Sequence, residues 1–112
     1  MNKLELAETT KDLETLDVLS KDKDYWVRCF VARNLNTKTE TLDVLSKDKN
    51  YDIRYGVAQN HNTSPETLDV LSQDKNWVVR YWVSLNPNCS ERAYKYIKGL
   101  ELLESLSEVS TQ

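Results

Sequence analysis

Apolar residues along the chain follow two short patterns that alternate. In the first pattern, two leucines lie three residues apart, as at Leu42 and Leu45, with Val44 beside them in the same apolar stripe. In the second pattern, apolar residues lie four apart, as at Ile53 and Val57. Either spacing gathers apolar side chains on one side of a short helix. We therefore predict an all-α protein built from pairs of short helices.

The two patterns recur with a period of 26 residues. Segment 37–62 aligns with segment 63–88 without a gap, with identical residues at 16 of 26 positions, and the same period defines segment 11–36. We call these segments unit 1 (11–36), unit 2 (37–62) and unit 3 (63–88). Neither helix of a unit can bury its apolar side alone, so the units are expected to stack as a solenoid, in which each repeat packs on its neighbours.

The rest of the chain is predicted to close both ends of this stack. Residues 1–10 are expected to form an N-terminal cap. A fourth unit begins at residue 89, where Tyr94 and Ile97 take the positions of Leu68 and Leu71, and the repeat then decays. We predict a degenerate half-repeat, a C-terminal cap helix and a frayed tail over 89–112, all within a single domain.

Helix boundaries are marked by characteristic residues. Thr37 with Glu40, and Thr63 with Glu66, match the S/T-x-x-E capping box, and Pro65 suits the first turn of a helix. The second helix of unit 2 is predicted over 51–59. Six asparagines lie at the ends of the units: Asn34, Asn36, Asn60, Asn62, Asn86 and Asn88. They are expected to cap helices and form turns, with left-handed backbone. An amide ladder and a carbohydrate site are less favoured roles for them.

One Asp and one Arg keep a constant spacing in every unit. Three repeated arginines could form an anion site, but each Asp can instead accept hydrogen bonds from the Arg of its own or the next unit. Because charge-assisted hydrogen bonds are among the stronger ones in proteins, we predict a structural ladder along the stack. Its members are Asp22, Arg28, Asp48, Arg54, Asp74 and Arg80.

These features resemble the leucine-rich repeat variant family and, more distantly, HEAT repeats, in which a similar Asp–Arg ladder is found. The resemblance is carried by the Leu42–Leu45 spacing, the step from Asp48 to Arg54, the "VAQN" segment at 57–60 and the "NPN" segment at 86–88, and it spans residues 11 to about 98. It implies a short right-handed α-solenoid, with a 3₁₀ form as an option for one helix of each pair, and a scaffold for protein contacts.

No cofactor is expected. The iron–sulfur segment of that family's founding member needs a cysteine cluster, which Cys29 and Cys89 alone do not supply. Carboxylates such as Asp43 and Glu40 recur with the repeat, and no glycine-rich loop, nucleophile elbow or zinc spacing occurs. His61 is the single histidine, which gives metal or general-base chemistry little support. We predict that the protein is not an enzyme.

The charge balance narrows the class of partner. The net charge is −3, which argues against the basic surface of a nucleic-acid-binding protein. No apolar run approaches the roughly 20 residues of a membrane span, and the N-terminus does not read as a secretory leader. An acidic cytoplasmic protein with reduced cysteines and no membrane partner is expected.

Certain positions on the second helix of each unit differ between units, whereas the framework repeats. They lie three and four residues apart and so share one helix face, and in a helical solenoid such a variable surface is where partners bind. We call this set the variable face. It comprises Trp26, Cys29, Phe30 and Arg33 in unit 1, Asp52, Tyr55, Gly56 and Gln59 in unit 2, and Val78, Tyr81, Trp82 and Leu85 in unit 3.

Aromatic residues and one glycine make this face a candidate binding site. Tryptophan and tyrosine are enriched at binding hot spots. Gly56 lies between Phe30 and Trp82 of the adjacent units, which predicts a notch that accepts an apolar side chain of a partner, and Gly56→Leu is expected to keep the fold but lose binding. The aromatic residues that open the second helices are assigned to the core or its border: Tyr25, Tyr51 and Trp77.

The favoured function is a non-enzymatic protein-binding scaffold, such as an inhibitor, an immunity or anti-defence protein, or an adaptor. The aromatic residues could instead pack within the chain, under the C-terminal leucines, or between copies in self-association. Nucleic-acid binding is the alternative, carried by Arg33 and the ladder arginines, but Asp52 and the ladder aspartates would neutralise the cations that phosphate binding needs. A designed or purely structural repeat without activity is a third alternative, because units 2 and 3 are so similar.

Overall fold

The protein is all-α over the residues that the computed structural model describes, which are 1–110, with side chains described for 1–108. No strand occurs over that range, and every helix in it is an α-helix, so the 3₁₀ option was wrong. The seven-residue helices close regular α-helical turns, as in the 2.9 Å bond from Ser46 N to Leu42 O. The helices are α1 (Lys3–Thr9), α2 (Leu13–Leu19), α3 (Tyr25–Arg33), α4 (Thr39–Leu45), α5 (Tyr51–Gln59), α6 (Pro65–Leu71), α7 (Trp77–Leu85) and α8 (Glu91–Ser110).

The odd-numbered helices form a row in which each packs on the next. Helix α1 packs on α3, α3 packs on α5, α5 packs on α7, and α7 packs on α8. The helices α2, α4 and α6 contact chiefly the odd-numbered helices that flank them in sequence. The molecule is elongated, with extents of 53 × 27 × 18 Å.

The core lies along the seam between these helices, and most of its residues follow the predicted spacing. Leu42, Leu45, Ile53 and Val57 are all buried, as are their counterparts in the other units. Val44 was wrongly placed in the apolar stripe and is exposed. One residue turns an α-helix by about 100°, so the neighbour of Leu45 cannot share its side of α4.

Tyr51 and Trp77 were also wrongly assigned to the core or its border. Trp77 is 66% exposed, Tyr51 is exposed, and only Tyr25 is partly buried against the core. Tyr51 precedes the buried Ile53 by two positions, which is about 200° around a helix. The two side chains therefore lie on opposite sides of α5, and the same holds for Trp77 and the buried Val79 of α7.

Helix starts differ from the predicted capping boxes. Thr37 and Thr63 are buried, and their hydroxyls donate to the carbonyls of Val31 and Val57 at 2.7 Å instead of capping the next helix. Ser64 is the N-cap of α6, accepting from the backbone of Thr67 at 3.1 Å. Pro65 does open that helix, as predicted. The threonine one residue before each cap therefore ties the loop to the preceding helix.

The fourth unit departs from the others because α8 continues where they turn. Ile97 is buried like Leu71, but Tyr94 is exposed, unlike Leu68. Leu100 is half-buried. Three further leucines of α8, which were considered as a cover for unit 3, are exposed instead: Leu102, Leu103 and Leu106.

The frayed tail was expected at the end of the chain, and residues 111 and 112 lie outside the described range. Over residues 1–110, none of the helices has both the length and the apolar character needed to cross a lipid bilayer.

Candidate binding face and the ladders behind it

Arginines and aspartates link successive units at the N-terminal ends of the odd-numbered helices. Arg28 Nε donates to Asp48 Oδ2 at 2.8 Å, and Arg54 Nε donates to Asp74 Oδ2 at 2.8 Å. Each arginine also reaches the backbone carbonyl of its own unit's Asp, as from Arg54 Nη1 to Asp48 O at 2.8 Å. The carboxylate partner is thus the aspartate of the next unit, and the aspartate of the same unit contributes only its carbonyl.

The two ends of this Arg–Asp ladder are closed by residues that do not belong to the repeat. Lys3 Nζ lies 3.0 Å from Asp22 Oδ2, and Arg80 Nη2 lies 3.4 Å from Glu104 Oε1. Both partners come from terminal helices, α1 and α8. Sequence comparison between units could not find them, because neither has a counterpart in another unit.

Asn34, Asn60 and Asn86 are helix C-caps and form local turns, as predicted, with Asn62 N donating to Asn60 Oδ1 at 2.9 Å. Their side-chain nitrogens also form a second ladder between units, which the prediction had not favoured. Asn60 Nδ2 donates to the carbonyls of Ala32 and Asn34 in the preceding unit, at 2.8 and 3.0 Å. Asn86 repeats this arrangement one unit later, on Ala58 at 2.7 Å and on Asn60 at 3.0 Å. The amide ladder is therefore present, and it caps the end of the helix in the neighbouring unit.

The backbone of these asparagines is extended and not left-handed. Asn34, Asn60 and Asn86 have φ of −69°, −76° and −74°, and no non-glycine residue described here has positive φ. The second asparagine of each pair donates across units as well, as from Asn88 Nδ2 to His61 O at 2.6 Å. His61 contributes only its backbone carbonyl to this hydrogen bond, and the residue is exposed.

A third set of contacts between units, on the even-numbered helices, was not predicted. Thr41 Oγ1 donates to Asp17 Oδ1 at 3.4 Å, and Thr67 Oγ1 donates to Asp43 Oδ1 at 3.0 Å. Ser90 Oγ continues the set to Asp69 Oδ1 at 2.7 Å. The signal in the sequence was the unvarying "ETLD" segment, whose Thr and Asp repeat although neither is apolar.

These ladders use the polar groups of the framework internally. Among the described side chains, no buried nitrogen or oxygen lacks a hydrogen-bond partner. Unsatisfied buried polar groups are costly, so the repeated polar residues have a structural explanation. The ladders therefore leave none of these buried repeated groups free for a partner.

The variable face presents its largest exposed residues at its two ends. Trp26 on α3 is 51% exposed, and Tyr81 and Leu85 on α7 are 40% and 52% exposed. Arg33 is exposed as well. The helices α3 and α7 are separated by α5, so at usual interaxial distances these two apolar patches lie roughly 16–20 Å apart.

The middle of the variable face is less exposed and more polar than its two ends. Asp52, Tyr55 and Gln59 of α5 are half-buried. Arg33 Nη2 donates to the Tyr55 hydroxyl at 2.7 Å, and its guanidinium lies 5.4 Å from the centre of the Tyr55 ring. This contact fixes an exposed cation of α3 over α5 and joins two positions that the sequence had placed on one face.

Several members of the variable face pack against the core. Phe30, Tyr55 and Trp82 are partly buried against the core cluster, and Val78 is half-buried. The Trp82 ring meets the Tyr81 ring edge-on, with centroids 5.7 Å apart. Trp82 and Phe30 therefore support the face, and a binding test needs to alter Trp26, Tyr81 and Leu85 instead.

Gly56 does not form the open notch that was predicted. The residue is buried, and a Cβ built on it would lie 3.2 Å from Ala32 Cβ and 3.6 Å from Arg33 Cγ. The space next to Gly56 is thus taken by the side chains of Ala32 and Arg33 on α3. Leucine at position 56 would clash, so it cannot keep the fold unchanged.

The cysteines show no sign of a reactive or metal-binding role. Cys29 is buried within the core, and Cys89 is half-buried. Burial raises the pKa of both thiols above the ordinary value, which lowers the thiolate fraction that reacts or binds metal. The described residues contain no cluster of three or more His, Cys, Asp or Glu residues suited to a metal ion.

A different surface lies at the turns that precede the odd-numbered helices. A shallow groove between units 1 and 2 is lined by Lys21, Lys23, Lys49 and Tyr25, together with the ladder residues. Asp22 and Asp48 of this groove are already paired with Lys3 and Arg28. The pattern recurs as a lysine followed two residues later by an aromatic residue: Lys23 and Tyr25, Lys49 and Tyr51, Lys75 and Trp77.

Comparison of the chain with protein-family models, with curated proteins and with solved structures gives no match.

Proposed function

We propose that the protein is a non-enzymatic scaffold that binds a protein partner on the variable face. The observation that carries this proposal is the exposure of Trp26, Tyr81 and Leu85 on a row of helices whose repeated polar residues are engaged in ladders. Exposed Trp and Tyr supply large contact area with little side-chain entropy to lose. In a recognition module, a constant framework is expected to hold the fold while a variable surface binds the partner.

The arrangement suits a partner that contacts both ends of the face. An apolar contact at Trp26 and another at Tyr81 and Leu85 would flank the polar middle, where Asp52 and the Arg33–Tyr55 pair offer directional hydrogen bonds. Protein interfaces commonly combine buried apolar anchors with polar groups that set orientation. The proposed role is therefore that of an inhibitor or adaptor that occupies a partner's surface.

We also propose that the units form a right-handed α-solenoid of the leucine-rich repeat variant or HEAT-like type. Support comes from contacts that recur at the sequence period, such as Arg28–Asp48 and Arg54–Asp74, or Asn60–Ala32 and Asn86–Ala58. Equal contacts at equal sequence spacing require nearly the same rotation and translation from each unit to the next. The ladders would hold that geometry constant while the face changes.

The test is quantitative capture of proteins from native lysate on immobilised chain. The face variant replaces three exposed residues, in Trp26→Ser/Tyr81→Ser/Leu85→Ser. The matched control, Val18→Ser/Val44→Ser/Val70→Ser, removes three other exposed apolar residues on the even-numbered helices. Circular dichroism first checks that both variants keep the wild-type helical content.

A stoichiometric partner that binds wild type and control but not the face variant supports the proposal. Cross-linking mass spectrometry of that complex then has to place the partner next to α3 and α7. A partner that binds all three proteins equally, or cross-links confined to the even-numbered helices, would remove the variable face as the binding site.

A second candidate function, binding of single-stranded nucleic acid, is favoured by the groove of Lys21, Lys23, Lys49 and Tyr25. Cationic grooves with aromatic stacking positions are typical of such proteins. Fluorescence anisotropy with labelled oligonucleotides tests it: binding that weakens steeply with salt, and is lost in Lys23→Gln/Lys49→Gln, is required. Absence of binding at low salt would eliminate this function.

A further inference from the structure

The repeat changes abruptly at a cleft between α6 and α8. This cleft has a volume of about 460 Å³, and its walls include Asp69, Gln73, Arg92, Ala93 and Tyr96. A volume of this order is usual for small-molecule sites in proteins. Among these five residues, only Asp69 is of the type that its position has in the earlier units.

The other four wall residues each replace a residue that the earlier units keep. Gln73 takes the position of a lysine, and Tyr96 takes that of a valine. Arg92 and Ala93 replace the glutamate and the threonine of the "ETLD" segment. Gln73 belongs to unit 3, so the changes are not confined to the terminal helix. Departures from a rule that the rest of a chain obeys are expected at functional sites.

The change at Gln73 leaves a carboxylate without a cation. In unit 2 the corresponding aspartate, Asp43, pairs with Lys47 at 3.5 Å, and unit 1 has the same pair. Glutamine carries no charge, and Asp69 has no ion pair with any described residue. Asp69 Oδ1 accepts from Ser90 Oγ at 2.7 Å, and Oδ2 has no hydrogen bond in the described part of the chain.

A cation lines the same cleft. The threonine of an "ETLD" segment lies beside the aspartate of the preceding unit, as in the 3.0 Å bond from Thr67 Oγ1 to Asp43 Oδ1. Ala93 has the position of that threonine after unit 3, and Arg92 immediately precedes it, so Arg92 lies near Asp69 on the wall of the cleft. Within the described residues, the Arg92 side chain has no hydrogen bond or ion pair.

We propose that this cleft binds a small zwitterion of the α-amino-acid class that has an apolar side chain. Its ammonium group donates to Asp69 Oδ2, and its carboxylate accepts from the Arg92 guanidinium, because charge-assisted hydrogen bonds of these kinds are strong. The Gln73 amide can donate to the carboxylate or accept from the ammonium group. The apolar side chain of the ligand packs on Ala93 and on the Tyr96 ring, which is 44% exposed.

This site goes beyond the proposed partner-binding function and does not depend on it. The cleft lies between α6 and α8, whereas the variable face lies on α3, α5 and α7. A ligand that contacts both α6 and α8 binds the folded arrangement only, so it is expected to raise the unfolding temperature as its concentration rises. Partner capture and ligand binding are measured in separate experiments, so either proposal can fail alone.

Heteronuclear NMR titration of the full chain tests the site, with L-leucine as the probe. Saturable shifts of the backbone amides of Gln73, Arg92 and Tyr96 are expected, with a Kd between about 10 µM and about 10 mM. Isocaproate lacks the ammonium group, and isoamylamine lacks the carboxylate. Each should bind at least roughly tenfold more weakly than L-leucine, because one charge in the cleft then has no partner. Glycine, which lacks the apolar side chain, should also bind more weakly.

Substitutions that restore the residues of the earlier units separate binding from folding. Gln73→Lys supplies the lysine that pairs with the aspartate in units 1 and 2, and Arg92→Glu supplies their glutamate. Both variants should keep the helical content and weaken L-leucine binding at least roughly tenfold, because the first occupies the ammonium site and the second repels the carboxylate. The matched control is Lys95→Gln, which removes an exposed cation of α8 that pairs with Glu91, and it should bind L-leucine as wild type does.

Three results would overturn the proposal. The first is the absence of saturable shifts with L-leucine up to about 50 mM, a concentration above any expected Kd. The second is equal binding of L-leucine and one of the singly charged analogues, which would exclude the contact that the analogue lacks. The third is L-leucine binding that both Gln73→Lys and Arg92→Glu leave unchanged, because the ligand would then lie outside the cleft.

Discussion

Arg54 and Asp74 join units 2 and 3 by two nitrogen–oxygen contacts, from Nε to Oδ2 at 2.8 Å and from Nη2 to Oδ1 at 3.3 Å. Both side chains are about nine-tenths buried, and Arg54 also donates to Asp48 O. A guanidinium in this position binds a carboxylate of one unit and a carbonyl of another. The pair therefore sets the spacing between units as well as neutralising its own charges.

Removing the arginine of this pair is expected to destabilise the protein strongly. Arg54→Ala leaves the Asp74 carboxylate buried without its partner, and such a loss costs about 3–5 kcal/mol. The double variant Arg54→Met/Asp74→Leu should recover much of that loss, because no charge is left unpaired. Free energies of unfolding from urea denaturation of wild type, Arg54→Ala, Arg54→Met, Asp74→Leu and the double variant measure both the loss and the coupling between the two residues.

The matched control for this experiment is Lys47→Ala. Lys47 pairs with Asp43 at 3.5 Å, but both side chains are largely exposed, so its loss should cost only about 0–1 kcal/mol. An Arg54→Ala variant as stable as Lys47→Ala would show that the ladder contributes little to stability.

The amide ladder is predicted to depend on the donor group of asparagine. In Asn60→Asp the carboxylate has nearly the same shape but cannot donate to the carbonyls of Ala32 and Asn34. We expect a loss of about 1–3 kcal/mol or more for these buried groups, and a larger loss than in Asn60→Ala. Thermal unfolding of the two variants, beside His61→Ala as an exposed control, measures the difference. An aspartate variant with wild-type stability would contradict the donor role.

The two glycines should respond differently to substitution by alanine. Gly99→Ala meets open space and should gain up to about 1 kcal/mol of helix stability. At Gly56 the added methyl group lies 3.2 Å from Ala32 Cβ, so this gain is offset by crowding between α3 and α5. Gly56→Leu should lose about 1–3 kcal/mol by overpacking. Denaturant unfolding of Gly99→Ala, Gly56→Ala and Gly56→Leu measures these free energies. A gain in Gly56→Ala equal to that in Gly99→Ala would show that α3 can shift without cost.

Asp22 is expected to titrate below the ordinary range of an aspartate. The backbone N–H of Asp24, 2.9 Å from Oδ1, and the Lys3 ammonium, 3.0 Å from Oδ2, lower the pKa of this carboxyl. A lowered pKa in the folded state means that the ionised group stabilises the fold above its unfolded pKa. This stabilisation is lost as the pH falls through the folded pKa.

Lys3→Ala should raise the pKa of Asp22 only part of the way, because the larger cause, the backbone hydrogen bond, remains. Carbon-detected NMR titration of the Asp22 carboxyl in wild type, Lys3→Ala and the remote control Lys11→Ala measures this. A pKa in the Lys3→Ala variant equal to that of wild type would exclude the ion pair as a contributor.

Much of the fold could be predicted because it depends on spacing within short segments. The bounds of α5 are those predicted, and the leucine pairs and Ile53–Val57 pairs are buried as expected. Val44, Tyr51 and Trp77 were predicted to be buried because they are apolar or aromatic, but they are exposed. The turn of about 100° per residue places each of them on the side of its helix away from the buried residues.

The residues by themselves determined the helical class, the units and the positions that vary, because periodicity and comparison between units are properties of the chain. Tertiary packing decided which partner each polar group takes: Arg28 binds the Asp of the next unit, Asn60 caps the helix of the preceding one, and Lys3 and Glu104 close the ends. It also decided that the space at Gly56 is filled by α3 whereas that at Gly99 is open. These outcomes depend on the distance and rotation between helices far apart in sequence, which no local pattern specifies.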